Sequence, residues 1–121
     1  MAEEIDLVFD SKYRELRDDF TEKYFNGAKE ESCLFALALG ISRNARVPKK
    51  DWSKEKQLSW TDINRLKGRG LDFEVLFEYM EIDDGGMSAK QRMDEFVTGG
   101  LKIIDQDALV DDGSLIELKK N

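Results

Sequence analysis

The chain has 121 residues, the length of one domain, with 37% charged and 40% hydrophobic residues and a net charge of −7. That acidity argues against wholesale nucleic-acid binding and leaves room only for a local basic patch. With no histidine and a single cysteine, Cys33, the sequence excludes histidine-dependent triads, ordinary zinc sites and an internal disulfide.

Residues 1–9, MAEEIDLVF, read as an N-terminal arm, with acids where a signal peptide carries bases. No stretch approaches 18 apolar residues, so no membrane span is predicted and the chain reads as cytoplasmic. Asp10 is a candidate cap for a first helix, in which Tyr13, Leu16, Phe20 and Tyr24 recur at helical spacing. Asn26-Gly27 supplies the stop, because both residues tolerate the left-handed conformation.

Ala28–Leu39 is predicted as a buried central helix, since Cys33 to Leu39 is apolar on every face. Gly40 is the expected terminator, and Pro48 marks chain that does not return to regular helix. Cys33 reads as a small buried hydrophobe, because a reactive thiol needs a cationic, partly exposed setting. Residues 42–59 form a largely polar, basic loop with Trp52 inside it. Ser59 or Thr61 is expected to cap a short helix through Ile63 and Leu66, ended by Gly68 and Gly70.

Phe73, Leu76, Phe77 and Met80 make the next helical stripe, and Asp83-Asp84-Gly85-Gly86 reads as a turn. Ser88 and Gln91 fit a capping box ahead of Met93, Phe96, Val97, Gly100 or Leu101, and Ile104. Gly99-Gly100 within that run costs about 1 kcal/mol per glycine against alanine. The pair therefore either breaks the helix or admits a second backbone at close range. The tail GSLIELKK reads as a short C-terminal strand or a last helical turn. Five helices and no alternating pattern predict an all-α fold.

Charge is the one feature distributed unevenly. Between Arg43 and Arg69 stand nine Lys/Arg against three acids, a net +6, which leaves −13 for the remainder. Arg43, Arg46, Lys49, Lys50, Lys67 and Arg69 are the candidate residues for binding a partner or a polyanion. The competing reading has these cations neutralise the protein's own acids or sit near a helix carbonyl end, where positive charge is favoured. KGRG at Lys67–Gly70 lacks the spacing of a phosphate loop and reads as an interhelical turn. The paired acids Asp18-Asp19, Asp83-Asp84 and Asp111-Asp112 fit no EF-hand pattern. No catalytic residue, cofactor or metal ligand is indicated.

Two stretches, LFALALGISRNARVP (Leu34–Pro48) and MDEFVTGGLKII (Met93–Ile104), resemble in order and separation a family of small proteins encoded beside DNA phosphorothioation (Dnd) restriction genes. In that family an apolar helix of the type FxLAxxLG leads into a basic segment ending in proline, and a later acidic-aromatic helix ends in GG followed by apolar residues. The resemblance implies a role near prokaryotic DNA modification, restriction or phage defence, and it supplies no catalytic residues. The sequence therefore predicts a non-enzymatic protein that binds another protein, with a nucleic-acid-binding module using Arg43–Arg69 as the alternative.

Overall fold

The computed structural model describes residues 6–80 and 88–106. In chain order these form strand β1 (Asp6–Phe9), a 3-10 turn (Ser11–Tyr13), helix α1 (Arg14–Phe25), helix α2 (Lys29–Ser42) and a second 3-10 turn (Lys49–Asp51). Strand β2 (Leu58–Asp62), helix α3 (Ile63–Gly68), helix α4 (Phe73–Tyr79) and helix α5 (Ala89–Gln106) follow. The fold is thus mostly helical with a small antiparallel sheet, which corrects the all-α expectation. The Asp83–Gly86 turn, the paired acids Asp111-Asp112 and the GSLIELKK tail lie outside the described residues.

The residues read as an N-terminal arm contain a core strand. Leu7, Val8 and Phe9 are all essentially inaccessible to solvent, and burying each such side chain contributes about 1.5–3 kcal/mol. Leu7 pairs with Thr61 and Val8 with Ser59, so Trp60 is the extra residue of a β-bulge. The second edge of β1 is closed by α5. The Val8 N–H donates to Asp94 Oδ1 at 2.9 Å, and the Asp10 N–H donates to Thr98 Oγ1 at 3.3 Å. The match is geometric, because two residues of strand and four residues of helix both advance about 6–7 Å.

Helix ends follow local chemistry, with three corrections. Asn26, with φ of 51°, ends α1 as predicted. Gly40 does not end α2, which continues to Ser42. The stop is Asn44, with φ of 49°; Ala45 N–H bonds the Gly40 carbonyl and Asn44 N–H bonds that of Ile41, a Schellman arrangement. The short helix α3 is capped by Asp62, whose carboxylate accepts from Arg65 N–H at 2.8 Å. Ser59 and Thr61 lie in β2 instead. Ser88 caps α5 through Gln91 N–H, while the Gln91 side chain reaches forward to Glu95 rather than back.

Gly40, Gly99 and Gly100 lie where α2 and its following loop press against α5. A Cβ on Gly100 would stand 1.8 Å from the Ala36 carbonyl oxygen, and one on Gly40 would stand 2.1 Å from that of Phe96. On Gly99 it would stand 2.0 Å from the Ala45 oxygen. The glycine pair therefore leaves α5 unbroken and lets a second backbone approach. This crossing also shifts the centre of the fold. From Arg92 to Leu101 every residue of α5 is buried, whereas α2 leaves Ala38 exposed. The predicted central helix shares its place with α5, the more enclosed of the two.

Among the described residues no helix is long and apolar enough to cross a membrane. Cys33 is fully buried, and burial, opposed by Arg17, pushes its thiol up to about 11. A thiol so placed behaves as a packing residue.

Candidate functional site

The six candidate cations do not form one group: Arg43, Arg46, Lys49 and Lys50 follow the last turn of α2, Arg69 meets its first turn, and Lys67 lies on α3. Arg43 and Asn44 end the helix, and the chain then crosses α5 as it carries Arg46, Lys49 and Lys50. Three carboxylates hold this crossing in place. Glu95 Oε2 accepts from Lys49 N–H at 3.1 Å, and the Glu95 carbonyl accepts from Val47 N–H. Asp94 Oδ2 receives the ammonium groups of Lys49 at 2.9 Å and Lys90 at 2.8 Å. Asp10 accepts from the Ser53 N–H and hydroxyl at 2.9 and 2.7 Å, tying the far side of the loop to the residue that follows β1.

Asp94 is fully buried. Burial pushes its carboxyl up, and the opposing pull of Lys90, the Val8 N–H and Lys49 does not cancel that effect. Lys49 is therefore committed internally, with its ammonium on Asp94 and also over the Trp52 ring. Trp52 is itself buried and donates from Nε1 to the Val47 carbonyl at 2.8 Å. It anchors the loop.

Around this latch lies an open concavity of about 580 Å³, lined by Asn44, Arg46, Pro48, Lys49, Lys50, Gln91 and Glu95. Arg46 and Lys50 are exposed, as is Arg43 nearby at the helix end. Among the described residues none of these three forms an ion pair. Arg46 instead lies over the Phe96 ring, 5.7 Å from its centroid. The carbonyls of Leu39, Gly40 and Ile41 are already bonded by backbone N–H groups, so these side chains are not needed as helix caps.

The other group behaves differently. Arg69 bridges Glu30 and Glu31 in the first turn of α2, and Arg65 adds a second contact to Glu30 at 2.6 Å. Burial works to raise the Glu30 carboxyl, but the hydrogen bonds from Arg69, Arg65 and Thr61 outweigh it and hold the group below the ordinary range. Lys67 is exposed on α3 beside a small apolar recess formed by Ile63, Leu66, Leu71, Phe73 and Met93. At 1.5 Å per residue, Glu30 and Arg43 stand about 20 Å apart along α2. The structure therefore brings Arg43, Arg46, Lys49 and Lys50 to one end and leaves Lys67 and Arg69 elsewhere.

A second surface escapes a reading of the sequence. Among the described residues the large apolar side chains left exposed are Val75, Leu76, Tyr79 and Met80, all on α4 or its cap. Tyr79 is 86% and Val75 60% exposed, so most of each side chain faces solvent. Phe77 is the fully buried residue of the stripe, against Phe96 and the partly buried Phe73. The available signal was density: six of the eight residues from Phe73 to Met80 are apolar or aromatic, too many for a helix with one buried face.

Among the described residues no group of three or more Cys, Asp or Glu side chains is placed to hold a metal ion. In comparisons with protein-family models, curated proteins and solved structures, nothing matches this chain.

Proposed function

We propose that this chain is a non-enzymatic interaction protein that docks another protein through α4, in the cytoplasmic setting of prokaryotic DNA modification, restriction or phage defence. The observation that carries the reading is the exposed row Val75, Leu76, Tyr79 and Met80 on a helix of seven residues and its cap. Exposed apolar surface of this kind, with a tyrosine in it, is the usual core of a protein interface. Beside it a concavity of about 240 Å³, lined by Gly70, Leu71, Asp72, Phe73 and Leu76, offers room for a partner's side chain. The lack of histidine removes the commonest general base, and Cys33 without a second cysteine suits a reducing compartment.

Photo-crosslinking in the native cells tests the proposal. A benzophenone amino acid at position 79 should yield one discrete adduct with a different protein, while the same group at the exposed position of Glu15 yields none. No adduct at position 79, equal adducts at both positions, or an adduct of twice the chain mass would end the reading.

A further inference from the structure

We infer that the concavity at the carbonyl end of α2 is a separate binding site for the phosphate backbone of duplex nucleic acid. Arg43, Arg46 and Lys50 supply the charge. All three are exposed and form no ion pair among the described residues. Lys54 and Lys56 follow in the same loop, exposed and outside every such ion pair. The equally exposed Asp51 and Glu55 offset them there, so the charge of the site rests on Arg43, Arg46 and Lys50. Asn44 and Gln91 line the concavity beside Arg46 and Lys50 and add amide groups able to donate to phosphate oxygens.

The internal acids do not compete for these cations. Glu95 is almost wholly buried, and its Oε2 faces the Lys49 N–H and the Gln91 amide. Asp94 is held by Lys49, Lys90 and the Val8 N–H. Their function is to fix the loop so that Arg46 and Lys50 project from a defined backbone.

The surroundings select the ligand. A protein partner, even an acidic one, calls for an apolar centre, and the large exposed apolar side chains among the described residues all lie on α4. Interfaces with nucleic acid are polar and dominated by Arg and Lys. Single-strand binders stack bases on open aromatic faces, whereas Trp52 is buried beneath the loop. What remains is sequence-independent contact with the phosphates of a duplex, kept weak and local by the net charge of −7.

The test is fluorescence anisotropy of a short labelled DNA duplex of mixed sequence, titrated with the full chain at about 50 mM salt and above. Three phosphate contacts predict a logarithmic salt slope between roughly −2 and −3. The combined variant Arg43→Glu, Arg46→Glu, Lys50→Glu should weaken binding by roughly tenfold or more. The corresponding glutamine variant should weaken it less, and circular dichroism of both should match the parent. Tyr79→Ala should leave duplex binding unchanged, which separates this site from the α4 surface. No binding at low salt, equal binding by all charge variants, or loss of binding in Tyr79→Ala would overturn the inference. So would capture of a labelled oligoglutamate in place of the duplex, which would assign the surface to an acidic protein segment.

Discussion

The two ends of α2 carry the same kinds of side chain in opposite conditions. At the first turn, Arg65 and Arg69 are matched by Glu30 and Glu31, and the charges close on themselves. Beyond the last turn, Arg43, Arg46 and Lys50 face solvent, while Glu95 and Asp94 below them are spent on the backbone and on Lys49 and Lys90. A net charge of +6 over Arg43–Arg69 averages these two situations. A local charge excess becomes a surface only where the fold withholds the counter-charges.

The largest expected effect comes from removing the joint that holds the two ends in register. Gly100→Val would force side-chain atoms into the Ala36 carbonyl, which a Cβ alone already meets at 1.8 Å. Backbone has to move, and a loss of about 3 kcal/mol or more is expected in chemical denaturation. A midpoint equal to that of the parent would mean that α2 and α5 do not cross so closely. Next in size, Asp94→Ala strands the buried Val8 N–H and releases Lys49 and Lys90. We expect a loss of about 2 kcal/mol, largely recovered in Asp94→Asn, which keeps an oxygen for Val8.

The first-turn network has a smaller and pH-dependent effect, because its arginines are screened by solvent. The folded Glu30 carboxyl titrates below its ordinary value of 4.5, so its stabilising contribution is present above that pH and is lost as pH falls through the folded value. Glu30→Gln should thus lower the thermal midpoint at neutral pH, with the difference from the parent shrinking below pH 4.5. A pH-independent difference would assign the cost to packing instead. The smallest effect belongs to the open end. Arg46→Glu should change folding stability by no more than about 0.5 kcal/mol, as expected for a surface site without a committed ion pair.

Periodicity made the helical framework legible, because Phe20 in α1 and Phe96, Leu101 and Ile104 in α5 reach the core from the spacing that predicted them. The sheet was not legible. Leu7 finds Thr61 more than fifty residues away, and four residues of DLVF carry no period of their own. The same limit hid the enclosure of α5. Asp94, Glu95 and Thr98 look like a solvated face, yet they meet N–H groups from β1 and the basic loop. Gly40 misled for a related reason, since a residue required by the close approach of α5 looks like a stop when read along one helix. The candidate cations were visible as residues. Their division was not, because it depends on where Glu30 and Glu31 stand in space.

The closure of β1 by α5 has a consequence for how the chain is made. Val8 and Asp10 take their α5 partners from 86 and 88 residues further along. At roughly 5–20 residues per second, several seconds of synthesis separate the strand from the helix that seals it. Throughout that interval Leu7, Val8 and Phe9 have no finished edge to rest on, and they complete their packing only when α5 arrives. Of the two described strands, the more buried one is therefore made well before the helix that seals it, and it settles only once that helix is in place.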